Sequence, residues 1–318
     1  MGIGDNRSHQ LQLEARALTV QTKHRPVNDA DTTSATVHVS SSARPTQARD
    51  RASDRDAQLS ITSGTSPSEW KMAAAGSTPA PVMTVLGGEL SPFTARARLA
   101  LELRGVAYEL LDEPLGPTKS ARLLAANPIY GKIPVLLLPD GRSISESAVI
   151  LQYVDEHTTT TGGEVRRRRL LPEDPYERAM HRFWTFYIDD KLWPALDAVS
   201  LGPTRDARAQ AVADARAALR RLEEAFGERS GGAGFFFSGT DEAPGMLDIA
   251  LGCFLPALRA CERLHGIYLV DEDATPLLDG WSRRFAAHPV ARRVLPDTEK
   301  VVRFTRFLQS KFGVDVSE

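Results

Sequence analysis

The sequence lacks an excess of charge of either sign and lacks a long apolar segment, and each absence excludes a class of partner. Its 318 residues carry a formal net charge of −2, so no basic surface that would attract nucleic acid is predicted. No apolar run approaches the roughly 20 residues that a membrane-spanning helix needs. We therefore expect neither a nucleic acid nor a membrane among the partners of this protein.

Cysteine is also scarce, because the chain contains only Cys253 and Cys261. The pattern around them is helical, which would separate the two residues by about 12 Å along the helix axis. A disulfide cannot bridge that distance. The sequence therefore predicts two free thiols and a reducing compartment, with the cytoplasm as the expected location.

Residues 1–80 differ in composition from the rest of the chain. No aromatic residue precedes Trp70, and Ser, Thr, Asp and Arg dominate. Without a periodic apolar face, such a segment cannot offset its ordering entropy by burial, so we predict a disordered N-terminal extension. A transit peptide is the alternative, which the acidic residues spread through the segment disfavour. Met72 follows this tract, and the sequence leaves open whether residues 1–71 are translated or have a function.

Residues 81–157 alternate between strand and helix patterns in the order β-α-β-α-β-β-α. This order predicts a small sheet with helices on its faces and a parallel first strand pair, which is the thioredoxin-like layout. Helix and strand periods, Pro at helix starts and Gly at helix ends define the elements. The expected elements are Met83–Gly87, Pro92–Arg104, Val106–Leu111, Thr118–Ala126, Pro134–Leu138, Arg142–Ser145 and Glu146–His157.

Residues 158–172 are predicted to be a linker. They contain the run Arg166–Arg169, for which a nuclear targeting signal is the alternative to a solvated linker. Residues 173–318 show helical periodicity without strand alternation, which predicts an all-α domain. The expected helices are Pro175–Val199, Thr204–Arg229, Met246–Leu264, Pro276–Ala287 and Pro296–Phe312.

Ser91 stands at the most informative position of the first domain. It precedes the helix that begins at Pro92, where unpaired N–H groups and the helix dipole favour an anion such as a thiolate. The Ser91 hydroxyl could donate one more hydrogen bond to that sulfur. A serine at this position could equally be only an N-cap.

Two further stretches place polar groups at the ends of elements. In a thioredoxin-like layout the Ile133-Pro134 peptide is expected to be cis, which leaves the Ile133 backbone free to pair with a peptide ligand. An ordinary trans bond before an edge strand is the alternative. Glu146 and Ser147 open a helix and could bind an ammonium group and a carboxylate, although an acidic capped helix start is equally consistent.

Together these stretches resemble the glutathione site of the glutathione transferases, and of the plant tau class in particular. The match includes Ser91-Pro92-Phe93, Asn127–Leu136, Ser145-Glu146-Ser147, and the pairing of Arg182-Phe183-Trp184 with Asp189–Trp193. It covers about residues 82–312. The resemblance implies a thioredoxin-like domain followed by an all-α domain, and an enzyme that conjugates glutathione to hydrophobic electrophiles in detoxification.

The resemblance also implies the site and the assembly. Glutathione is a co-substrate, no metal or other cofactor is expected, and a peroxidase side activity and a homodimer are implied. Ser91 would be the catalytic residue. The implied glutathione contacts are Ser91, Lys119, Lys132, Ile133, Glu146 and Ser147. The apolar pocket for the electrophile is predicted to be lined by Phe93, Trp184, Tyr187, Ile188 and Trp193.

Three positions depart from the class pattern. Gly131 stands where the class usually has a second basic residue before Lys132, which would weaken one carboxylate contact. Gly245 takes the place of the Ser or Thr cap that often lies three residues before Asp248, at a cost of a few tenths of a kcal/mol. The segment before Lys119 is slightly short.

Two other functions are alternatives to a conjugating enzyme. A non-catalytic carrier of hydrophobic ligands would use the same pocket without an activated thiolate, and the sequence does not exclude it. A thiol-transfer redox protein would need a cysteine at position 91, because serine cannot form a mixed disulfide. No motif encodes the identity of the electrophile.

A chain translated from Met72 should keep the melting temperature and the activity of the full chain. The reason is that residues 1–71 offer no periodic apolar face to bury. Thermal unfolding and turnover of the two chains under the same conditions test this expectation. A substantial drop in melting temperature on truncation would contradict it.

Overall fold

The computed structural model describes residues 82–113, 119–160, 169–230, 234–235 and 243–314. The predicted extension over residues 1–80, and residues 161–168 of the predicted linker with most of its arginine run, lie outside these ranges. No described helix is long and apolar enough to cross a membrane. Within the described ranges, no group of His, Cys, Asp or Glu side chains could hold a metal ion.

The first part of the chain has the predicted order of strands and helices. Its elements are β1 (Met83–Gly87), α1 (Pro92–Arg104), β2 (Tyr108–Asp112), α2 (Ala121–Ala126), β3 (Val135–Leu137), β4 (Ser143–Ser145) and α3 (Ser147–Thr160). The sheet order is β2-β1-β3-β4. The β1–β2 pair is parallel, with Val85 opposite Leu110, and both other pairs are antiparallel. The thioredoxin-like prediction is therefore confirmed.

Helix α1 shows how local sequence sets an element's limits. Pro92 occupies its first turn, where the missing N–H costs no hydrogen bond, and Ser91 caps it. Gly105 ends it with φ of 66°, a left-handed conformation that glycine adopts without steric cost. Its N–H donates to the carbonyl oxygens of Leu101 and Glu102. Ser91 and Pro92 therefore set where the helix begins, and Gly105 sets where it ends.

The second part of the described chain is helical, as predicted. Its elements are α4 (Pro175–Tyr187), a π-helical turn (Ile188–Leu192), α5 (Trp193–Leu201), α6 (Arg205–Ser230), α7 (Met246–Gly252), α8 (Leu255–His265), α9 (Pro276–Ala287), α10 (Pro289–Val294) and α11 (Thr298–Phe312). The π-helical turn lies inside one continuous helical stretch, and the Trp193 N–H donates to the Ile188 carbonyl.

Two predicted helices differ from those observed. The single helix expected over Met246–Leu264 is two helices that meet at Phe254. Pro256 lies in the first turn of α8, has no N–H and crowds the carbonyl of residue 252, so α7 ends at Gly252. The last helix begins at Thr298 rather than Pro296, because Asp297 caps it, and the short helix α10 before it was not predicted.

Asp155 joins the two parts of the fold. It lies on α3, is 3% exposed, and forms an ion pair with Arg104 at 3.7 Å. Its carboxylate also accepts from the backbone N–H of Leu170 at 2.7 Å and of Leu171 at 3.3 Å. Leu171 and Leu170 are themselves buried in a core shared with α1 and α7. The entry into the helical domain is therefore held against the sheet domain.

Both cysteines are free, as predicted, and the structure buries both of them. Burial raises the pKa of the Cys253 thiol to about 11, although the nearby Arg96 acts in the opposite direction. Burial also raises the pKa of Cys261. Neither thiol is therefore activated.

Gly252→Ala should destabilise the protein, because a Cβ at this position would overlap the ring of Phe285, which is 1% exposed. Overpacking of this kind costs about 1–3 kcal/mol, which would lower the melting temperature by about 2–10 °C. Calorimetry measures the shift. Gly280→Ala in α9 is the matched control: its Cβ would meet only the flexible end of Arg284, so its melting temperature should be unchanged or higher. Equal melting temperatures for the two variants would contradict the expectation.

Candidate functional site

Ser91 lies between the end of β1 and the start of α1. Its Oγ accepts a hydrogen bond from the Thr94 N–H at 3.3 Å, so it is an N-cap. Accepting that bond leaves the hydroxyl hydrogen free to donate elsewhere. The residue is half-buried. The geometry thus combines a capping role with a donor that an incoming anion could use.

Gly87 allows this arrangement. A Cβ at Gly87 would overlap the Thr94 side chain, which is fully buried. Only glycine therefore permits the end of β1 to approach the first turn of α1 so closely. That approach sets the position of Ser91 between the two elements.

The Ile133-Pro134 peptide is cis, as expected. It lies directly before β3, outside the strand ladder that begins at Val135. The turn before it is closed by Asn127, which donates from Nδ2 to the Lys132 carbonyl at 2.9 Å and accepts from the Tyr130 N–H at 3.2 Å. Sequence reasoning did not single out Asn127, although an Asn-Pro pair after a helix indicates such a turn.

Gly131 has a structural reason to differ from the class pattern. Its φ is +56°, and a Cβ would lie 3.2 Å from Cδ2 of Leu124. A lysine at this position would combine a left-handed backbone with a close contact. The absent second basic residue is thus consistent with the local backbone.

Glu146 and Ser147 lie where β4 meets α3. Glu146 is exposed and has φ of 71°, a conformation that costs a non-glycine residue on the order of 1 kcal/mol or more and that clusters at functional sites. Ser147 is 6% exposed, and its Oγ accepts from Nη1 of Arg96 at 3.2 Å. Its own hydroxyl hydrogen is left to donate.

Arg96 is a further residue near the site that sequence reasoning missed. Its guanidinium is fully buried and binds the Asp189 carboxylate with two hydrogen bonds of 2.6 and 2.8 Å. It also donates to the Ala250 carbonyl at 3.1 Å. Burial is the largest single influence and lowers its pKa, but the charges of Asp189 and Cys253 and the hydrogen bonds to these two residues together more than offset this, and the pKa is raised. No sequence signal marks it, because arginine is rarely fully buried.

Lys119 and Lys132 interact electrostatically, although they are not neighbours in sequence. Both are half-buried. Burial lowers the pKa of Lys119, and the positive charge of Lys132 lowers it further. Among the described residues, the charge that changes this pKa is thus that of a second cation and not that of an acid. An anion near the two lysines would reduce that repulsion.

The predicted pocket residues fall into two aromatic groups. Phe93 meets Trp193 and Phe254 edge to face, with ring centroids 5.4 and 5.6 Å apart, and Trp193 stacks on Phe254 at 5.2 Å. Trp184 and Tyr187 pack edge to face at 5.3 Å in the second group. Phe254 was not predicted to be part of this cluster, because a continuous helix was expected at that position.

Ile188 belongs to neither aromatic group. It is fully buried and belongs to the core, so its side chain does not reach a ligand surface in this structure. A separate cavity of about 350 Å³ is lined by Pro172, Glu177, Glu228 and Arg229. It contains none of the predicted site residues.

Comparison with known families and proteins agrees with this geometry. Residues 90–157 match the family model of the glutathione S-transferase N-terminal domain, and residues 205–284 match that of the C-terminal domain. The chain is 75% identical to the probable glutathione S-transferase BZ2 of Zea mays over 237 residues, which is 74% of this chain and 100% of that protein.

Solved structures show the same relationship. The tau-class glutathione S-transferase of mango, Mangifera indica, is 39% identical, with a TM-score of 0.65 over 71% of this chain and 98% of that one. Rice GST1 in complex with glutathione is 34% identical, with a TM-score of 0.65 over 73% of this chain and 98% of that one. The chain therefore belongs to the glutathione S-transferase family and, within it, to the plant tau class.

Proposed function

We propose that this protein conjugates the thiolate of glutathione to hydrophobic electrophiles, with Ser91 as the catalytic residue. The observation that carries the proposal is the free hydroxyl hydrogen of Ser91 at the N-terminus of α1. Family membership supports the activity, and the geometry supports the residue. Residues 81–157 would bind glutathione and residues 173–318 would bind the electrophile, with a linker over 158–172 between them.

Ser91 would act on the ionisation of the glutathione thiol. A free thiol titrates near pH 8.5, and lowering its pKa by about two units requires roughly 2.7 kcal/mol. The hydrogen bond from one hydroxyl and the dipole of a helix N-terminus together supply a free energy of that magnitude. The thiol proton leaves to solvent, and the sulfur attacks an electrophilic carbon. The bond to a leaving group breaks, or the electrons of an activated double bond move to its acceptor atom.

The other predicted contacts would hold the two ends of glutathione. Ser147 and Glu146 would bind the carboxylate and the ammonium of the γ-glutamyl end. The backbone of Ile133 would pair with the cysteinyl residue as a short antiparallel strand. Lys119 and Lys132 would bind the glycyl carboxylate, and this anion would counter the fall in the pKa of Lys119 that burial and the charge of Lys132 cause.

The aromatic groups would supply the electrophile pocket. Phe93 lies two residues after Ser91 and contacts Trp193 of the helical domain, so these two rings would form the wall nearest the sulfur, with the fully buried Phe254 packed behind them. Trp184 and Tyr187 extend the apolar surface. Apolar walls exclude water and favour flat hydrophobic substrates. Peroxide reduction by the same thiolate would be a side activity, and the free buried cysteines favour a cytoplasmic location.

Ser91→Ala should lower conjugation turnover by about 10-fold to 1000-fold, as expected for one donor to an anion, while the Kd of glutathione changes little. Ser91→Gly separates catalysis from capping, because glycine is an adequate N-cap that costs only a few tenths of a kcal/mol. We expect Ser91→Gly to keep the melting temperature and lose turnover. Wild-type turnover in either variant would reduce Ser91 to a cap, whereas an unmutated chain that binds glutathione without any turnover would favour the non-catalytic carrier.

We also propose that the protein is a symmetric homodimer in which the sheet domain of one subunit meets the helical domain of the other. Phe183 and Phe186 on α4 are 51% and 61% exposed, and Val149 on α3 is 49% exposed. Arg182 donates to Gln152 at 2.8 Å, which links the two helices, and we propose that their exposed apolar residues belong to one surface. A twofold contact of about 1,200–2,000 Å² would cover it.

Phe186→Asp should convert the protein to a monomer at micromolar concentration, because the charge would be buried in the interface. Multi-angle light scattering gives the mass. Phe307→Asp on α11 is the matched control, since Phe307 is 57% exposed and lies outside this surface; it should leave the dimer intact. A wild-type chain that has a monomer mass with glutathione present would rule the dimer out.

A further inference from the structure

Glu113 is a buried acid directly after β2. It is 1% exposed. Its N–H donates to the Gly87 carbonyl at 3.0 Å, which continues the parallel pairing of β1 and β2 by one residue. Its backbone is therefore fixed to the same strand end that positions Ser91.

The Glu113 carboxylate reaches the start of α2. Its Oε2 accepts from Oγ of Ser120 at 2.7 Å, and its Oε1 accepts from Nε and Nη2 of Arg122 at 2.9 and 2.6 Å. Ser120 is also the N-cap of α2, since its Oγ accepts from the Leu123 N–H at 3.0 Å. One buried carboxylate thus holds both the cap and the first turn of this six-residue helix.

Helix α2 is held at both ends, and each end adjoins one of the two lysines. Lys119 directly precedes the Ser120 cap. At the other end, Asn127 follows the helix and binds the Lys132 carbonyl. The backbone positions of the two lysines therefore depend on how firmly α2 is anchored.

We propose that Glu113 is a positioning residue for the glycyl carboxylate of glutathione, acting through Ser120 on Lys119. This inference depends on the proposed binding of glutathione by Lys119 and Lys132. Glu113 does not itself touch the ligand. Because Arg122 binds its carboxylate, the negative charge of Glu113 is neutralised locally and does not repel an anionic ligand.

Glu113→Gln tests the proposal in the full chain, because it keeps the shape of the side chain but replaces one acceptor oxygen with a donor. Binding of glutathione and of γ-glutamylcysteine, which lacks the glycyl residue, is measured by calorimetry. We expect the Kd of glutathione to rise about tenfold, within the effect of losing hydrogen bonds to a charged group. We expect the Kd of γ-glutamylcysteine to change less than about twofold, and kcat at saturating glutathione to be retained. Glu113→Asp should recover part of the affinity.

A purely structural role would affect both ligands equally or neither, and either result overturns the proposal. Lys119→Ala is the reference variant: if it also fails to separate the two ligands, the glutathione assignment of Lys119 is wrong, and the role of Glu113 is wrong with it.

If Glu113→Gln does not fold, Arg122→Gln removes the partner of the carboxylate at a half-exposed position and should give the same selective loss. Arg142→Gln breaks an ion pair of the same length in the β3–β4 hairpin and should change neither Kd.

Discussion

The buried guanidinium of Arg96 is the interaction on which the rest of the structure depends. An arginine without solvent is stable only when its charge and most of its donors are satisfied. Here the Asp189 carboxylate, the Ser147 hydroxyl and the Ala250 carbonyl accept from it, and the rings of Phe93 and Phe254 lie 5.2 and 5.5 Å from it. Helices α1, α3 and α7 and the π-helical turn therefore meet at one side chain.

This arrangement makes the site inseparable from the junction of the two domains. Asp189 lies in the π-helical turn, where the extra residue per turn changes the direction of the side chains, as such turns often do at functional sites. Because Arg96 lies five residues after Ser91, in the helix that Ser91 caps, the contacts that hold the guanidinium also help to hold the serine. The same guanidinium orients Ser147 at the start of α3. A substitution at Asp189 would leave a buried cation unpaired and disturb both Ser91 and Ser147 of the proposed glutathione site.

The sequence predicted most of the sheet domain, because its limits are set by local chemistry. Pro92, Gly105 and the Pro139–Gly141 turn act within a few residues of themselves, and their effects are therefore visible in a short window. The sequence did not predict the roles of Arg96, Glu113 or Phe254. Each of these depends on partners far along the chain, and burial of an arginine or a glutamate is opposite to its usual preference. Ile188 was predicted to line the pocket but is buried in the core, because helical spacing alone cannot distinguish a core residue from a pocket wall.

The burial of both cysteines has a consequence for a protein that handles a reactive thiol. With a pKa of about 11, less than about one Cys253 side chain in a hundred would be ionised at pH 8 even if solvent could reach it. The protein therefore presents no competing thiol to the electrophiles it receives, and no thiol that oxidised glutathione could capture as a mixed disulfide. A reagent that alkylates thiols, added to the complex, would modify the sulfur of the ligand and leave both cysteines unmodified. The packing of the two cysteines thus protects them from the chemistry that the enzyme promotes.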